Sequence, residues 1–208
     1  MANPSQFFLG VLDFFGILLP GAIAAALLEP VLADQVFGAL VARPTGGAVA
    51  WITFLVVAYF LGHLLFLVGA WLDPIYDRLR RLRHPDGDTS AFKAAERIRN
   101  RVLTAEEQVP VNTFQWSRSI LLAKCPAAAQ DVHRLEADSK FFRSLVVVSA
   151  LAVPLFFSAG HMVAGAVALL FLGPCFARYY ERRRKSTTQA YIHVVTLYRA
   201  GVLVPLTD

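Results

Sequence analysis

Residues 48–72, AVAWITFLVVAYFLGHLLFLVGAWL, contain no Asp, Glu, Lys or Arg. As a helix rising about 1.5 Å per residue, the run reaches roughly 37 Å, more than the ~30 Å hydrocarbon core of a bilayer. An uncharged stretch of this length reads as a membrane-crossing helix. Three more apolar segments accompany it. The first covers residues 7–28 and carries Asp13, Pro20 and Gly21; the third covers residues 144–159 and the fourth 161–177.

The last two segments are short, roughly 25 Å each as helices. They read either as two spanning helices or as a re-entrant hairpin around Ser158–His161. Spanning is favoured, because Phe141 and Phe142 on one side and Tyr179 and Tyr180 on the other extend the apolar reach into the interface. The first segment ends in AIAAA, which resembles a signal-peptide cleavage site. Residues 1–8 lack Lys and Arg, however, and Asp13 interrupts the apolar region, so this segment reads as a first membrane helix.

Basic residues set the expected orientation. Arg78, Arg80, Arg81 and Arg83 follow the second segment, Lys140 and Arg143 precede the third, and Arg178, Arg182, Arg183, Arg184 and Lys185 follow the fourth. Residues 29–47 hold only Arg43. The positive-inside rule then places both termini and the 73–143 loop in the cytoplasm of a bacterial inner (cell) membrane. The expected architecture is an all-α integral membrane protein with four transmembrane helices and a helical cytoplasmic cap. It divides into a first hairpin (1–72, spans 7–28 and 48–72), a cytoplasmic region (73–143), a second hairpin (144–177) and a cytoplasmic tail (178–208).

The 73–143 loop mixes basic and acidic residues and is too long for a simple connector. HPDGD at 84–88 signals a turn. Ser90 starts a helix over 91–103, with Phe92, Ala95, Ile98 and Val102 on one face. A second helix is expected over 113–123, and Pro126 suits the first turn of a third that continues into the third span. In the tail, Tyr191, Val194, Val195 and Tyr198 form an apolar stripe opposite Arg182–Lys185, and the fourth helix is expected to continue into it with a bend at Gly173–Pro174. Phe92, Ile98, Trp116, Ile120 and Leu135 are the expected buried side chains of the cap.

Two intramembrane polar residues are site candidates. Asp13 sits inside the first segment and His63 inside the second; each costs free energy in hydrocarbon unless it finds a partner. Side-by-side packing of the first two helices would let them meet as a gate or relay. The plain alternatives are an interfacial Asp13 and a His63 bonded to a backbone carbonyl. Arg78, Arg80, Arg81, Arg83, Arg182, Arg183 and Arg184 are candidate contacts for anionic lipid or a ligand, or simple topology signals.

The net charge of +5 sits mainly beside apolar runs, so membrane lipid, not nucleic acid, is the expected partner. Cys125 and Cys175 both fall on the expected cytoplasmic side, where a structural disulfide is disfavoured. His84, Asp86 and Asp88 lack a further ligand at metal-site spacing. No metal, other cofactor or catalytic residue is assigned, and no nucleotide-binding, hydrolase or zinc-protease motif occurs.

DFFGILLPG at 13–21, LGHLL at 61–65 leading into LDPIYDRLRR, SKFFRSL at 139–145, and RYYERRR at 178–184 with Tyr191 together resemble uncharacterised bacterial four-span membrane proteins, some found beside defence or signalling genes. The resemblance covers the spans and their edges. It implies a membrane effector and transfers no catalytic residue; the expected function is a self-associating effector or channel-like protein that perturbs or conducts through the inner membrane on a cytoplasmic signal. The alternatives are a non-conducting anchor for a cytoplasmic protein partner, or a small transporter or lipid-modifying enzyme using Asp13 and His63.

Overall fold

The computed structural model describes residues 14–32, 46–83, 90–103 and 111–203, and helices are the only regular elements among them. A π-helical turn, Phe14–Leu18, leads into α1 (Leu19–Leu32). Helix α2 (Ala48–Gly69) passes through a 3-10 turn, Ala70–Leu72, into α3 (Asp73–Arg83). Then come α4 (Ser90–Val102), α5 (Thr113–Lys124), α6 (Pro126–Ser158) and α7 (Met162–Arg199). Asp13, Arg43, the HPDGD turn and residues 104–110 lie outside the described residues.

Three helical stretches, Ala48–Arg83, Pro126–Ser158 and Met162–Arg199, are long and apolar enough to cross a membrane; Gly16–Glu29 is a shorter apolar helix. Both later helices run past their apolar halves into charged sequence, α6 beginning at Pro126 and α7 continuing to Arg199. Pro154 and Pro174 lie inside them without ending them. Each removes one backbone donor, a loss that membrane helices commonly absorb. The π-turn before α1 has a related cause. Pro20 has no N–H to offer the carbonyl of Gly16, and a wider turn accommodates that gap.

The joint between α6 and α7 is tight because of one glycine. Gly160 adopts φ +79°, its N–H donates to the Phe157 carbonyl (3.1 Å), and the His161 N–H donates to the Phe156 carbonyl (2.8 Å). This left-handed C-terminal cap turns the chain back on itself. The same device ends α7, where Gly201 has φ +73° and Val202 donates to Leu197.

The chain divides into two compact units. One draws on the described parts of Met1–Tyr76 and Ala137–Tyr180. There α1 lies along α2 through small residues: Gly21, Ala24 and Ala25 on α1 are buried, as are Ala58, Gly62, Leu65 and Gly69 on α2. A Cβ on Gly21 would strike the Ala58 carbonyl, and one on Gly62 would strike the Ile17 carbonyl. The two backbones are therefore in direct contact. Val147 and Val148 of α6 close this core against Ala24 and Leu65.

The other unit comprises the described parts of Asp77–Glu136 and Glu181–Asp208. Its core joins Ile98, Trp116, Leu121 and Val132 with Ala190, Val194 and Leu203 from the C-terminal stretch. Of the expected cap residues, Ile98 and Trp116 are buried, while Phe92, Ile120 and Leu135 are half-buried. Phe92 nonetheless stacks edge-on against Tyr191, with ring centres 5.4 Å apart. Asn112 caps α5 by accepting from the Gln115 N–H (2.8 Å), and the Gln115 side chain accepts from the Asn112 N–H (3.4 Å), a reciprocal capping box.

Candidate functional site

Two tryptophans bracket the apolar stretch of α2, Trp51 in its first turn and Trp71 in the 3-10 turn that follows it, both more than half exposed. Their separation along the helix is about 30 Å at 1.5 Å per residue, the thickness of a hydrocarbon core. Indole rings favour the headgroup level, so this pair suits the two ends of a helix long and apolar enough to cross a membrane. The spacing was available in the sequence and adds a landmark that charge counting did not use.

His63 lies between the two tryptophans, about 12 Å from the Trp71 level. It does not face the packed side of α2. The buried stripe is Ala58, Gly62, Leu65 and Gly69, and at 100° per residue His63 projects roughly 130° away from it. The side chain is exposed, and its ring packs edge-on against Tyr59, with centres 4.5 Å apart. Tyr59 is 46% exposed. Among the described residues neither side chain has a hydrogen-bond partner, so the backbone-carbonyl role considered for His63 is not the arrangement found. Asp13 lies outside the described residues, and with it the proposed Asp13–His63 pair.

One buried polar group in this unit, tied to several segments, escaped the sequence reading. Arg143 on α6 is 7% exposed. Its Nη1 donates to both carboxylate oxygens of Asp73 (3.2 and 3.3 Å), and its Nη2 donates to the Phe66 carbonyl (3.4 Å). The guanidinium also lies 4.6 Å from the centre of the Phe66 ring. Tyr179 on α7 donates its hydroxyl to the same Asp73 carboxylate (2.7 Å). Gly69 makes room, since a Cβ there would sit 3.2 Å from Arg143 Nε. Tyr76 packs against both Tyr179 and Tyr180, with ring centres 5.8 and 5.1 Å away. Three chain segments are thus tied at one carboxylate. In sequence Arg143 counted only as a topology signal, and nothing local linked it to Asp73 or Tyr179.

The basic clusters fall on two helices. Arg78, Arg81 and Arg83 on α3 are exposed and Arg80 is half-buried; on α7 Arg184 is exposed while Arg182 and Arg183 are half-buried. Lys185 pairs with Glu181 at 2.6 Å, one turn away. No group of three or more metal-ligating side chains occurs among the described residues. Cys125 and Cys175 are free thiols.

Two grooves run through the first unit. One, of about 180 Å³, lies among α1, α2 and α6, lined by Ala24, Leu65 and Leu155 among others. The second, of about 350 Å³, lies among α1, α6 and α7 and includes Ala164, Ala168 and Cys175. Their walls are aliphatic and aromatic, apart from Ser149 and Cys175 in the second. Neither offers a file of groups able to replace an ion's hydration shell.

Comparison with protein-family models, with curated proteins and with solved structures gives no match for this chain.

Proposed function

We propose that this chain is a multi-pass inner-membrane effector that self-associates and, on a cytoplasmic signal, perturbs the membrane or conducts through it. The observation that supports this reading is an inverted polarity. The grooves between the helices of one copy are apolar, while Tyr59 and His63 lie on the outer surface of α2, between the Trp51 and Trp71 levels. A polar route through the bilayer therefore has to form between copies, where outward polar groups meet, not inside one.

The proposed topology has four spans, with Gly16–Glu29 as the core of the first, both termini inside, and Arg78–Arg83 and Arg182–Lys185 at anionic headgroups. The second unit, with its own core around Trp116 and Val194, is then the cytoplasmic receiver.

Two measurements test the proposal. Reporter fusions at residues 38, 105 and 208 should give a periplasmic signal only at 38. Expression in bacteria should collapse the membrane potential and arrest growth in a copy-number-dependent way, and purified chain should release ions from liposomes. Normal potential and tight liposomes at high expression would instead favour the non-conducting anchor.

A further inference from the structure

We infer that the outward face of α2 bearing Tyr59 and His63 is the surface on which a second copy of this chain docks. The inference rests on the self-association reading above and names its contact face.

The argument starts from desolvation. An imidazole keeps one N–H donor and one acceptor nitrogen when neutral, and a phenol can both donate and accept. Hydrocarbon satisfies none of these, so each unmet group costs free energy. His63 is too far from the Trp71 level to escape by reaching outward, because its side chain lacks the long stem that lets Lys or Arg snorkel. The packed side of α2 is already occupied by α1 through Gly62 and Ala58. Among the described residues of one copy no side chain offers these groups a hydrogen bond, and a second copy can.

A second copy supplies what this face lacks. At 100° per residue, Ile52, Val56, Tyr59 and His63 fall within about 60° of one another, and all are exposed. A two-fold contact presents the same patch from both sides, so a phenol on one copy can accept from an imidazole on the other, and the reverse. The patch is self-complementary in hydrogen bonding. Its aliphatic neighbours supply the dispersion contact that holds membrane helices together.

The test uses the full chain in lipid nanodiscs and liposomes, with Cys125→Ser and Cys175→Ala removing the native thiols. Single cysteines at Val56 or His63 should give a disulfide-linked dimer on mild oxidation, and one at Val167 on α7 should not. With the native Tyr59 and His63 background, dilution in lipid should give a dissociation constant. Tyr59→Phe and His63→Leu should each weaken it about eightfold, because each removes both symmetry-related hydrogen bonds of the dimer at about 0.6 kcal/mol apiece. Both positions are exposed in one copy, so folding should survive, as circular dichroism would verify. Efficient cross-linking only at Val167, with association unmoved by either variant, overturns this face but leaves self-association standing. A chain monomeric at every lipid dilution and cross-linking nowhere overturns both. Adducts at His63 with lipid alone, in associating protein, also overturn the inference.

Discussion

Gly21 on α1 sits against the backbone of Ala58 on α2, so closely that a Cβ on the glycine would collide with the Ala58 carbonyl oxygen. The obstacle is main chain and has no rotamer to change. Separating the helices would also strip Gly62 from Ile17, whose carbonyl occupies the corresponding space on the other helix. The hairpin is therefore held by approach distance as much as by side-chain area.

Gly21→Ala and Gly62→Ala should accordingly destabilise the chain by about 1–3 kcal/mol or more, as overpacking does. Gly173→Ala, in α7 with open space where its Cβ would go, should be neutral or stabilise by up to about 1 kcal/mol, because glycine is a poor helix former. Thermal unfolding in detergent compares the three. Equal effects at Gly62 and Gly173 would show that backbone proximity is not what holds α1 on α2.

The Asp73 carboxylate should behave as a shared anchor. Asp73→Asn leaves the Arg143 guanidinium buried without its counter-charge and should cost about 2–3 kcal/mol, less than the 3–5 of a fully buried pair because Asp73 is 31% exposed. Tyr179→Phe removes one hydrogen bond and should cost about 1 kcal/mol. A double-mutant cycle of Asp73→Asn with Arg143→Met should reveal coupling of about 0.5–3 kcal/mol. Additive effects would mean the contact contributes nothing.

The second unit should depend on residues far apart in the chain. Trp116→Ala should cost about 3–5 kcal/mol, the usual range for emptying a buried aromatic site. Val194→Ala, from the C-terminal stretch, should destabilise the same cooperative transition. Leu122→Ala, one residue beyond buried Leu121 but half exposed, should stay within about 0.5 kcal/mol. Hydrogen exchange of α5 amides reads the result. Unchanged α5 protection in Val194→Ala would separate the two segments energetically.

At the start of α5, Asn112→Ala should cost about 1 kcal/mol through loss of the N-cap. Gln115→Ala removes only the longer, 3.4 Å half of the capping box and should cost less. Urea unfolding followed by the fluorescence of Trp116 on α5 can detect both. A larger loss at Gln115 would reverse the assigned roles.

What the sequence determined by itself was local. The charge-free run over 48–72 dictates a membrane-length helix, because length and lack of charge act residue by residue. The apolar spacing from Phe92 to Val102 and proline at position 126 each specify a helix or its start within one or two turns. The stripe of Tyr191 and Val194 was also legible, since a 3.6-residue period marks a buried face. Its partner was not. Ile98 and Val132 meet Val194 in one core, and no periodicity says which stripe faces which. The same holds for the anchor, where Arg143 and Tyr179 reach Asp73 across 70 and 106 residues. Burial alone turned Arg143 from one basic flank residue among many into the tie between α2, α6 and α7. His63 shows the converse: the sequence marked it as polar and deep, but only the packing of Gly62 onto α1, one residue away, decided that the imidazole points outward.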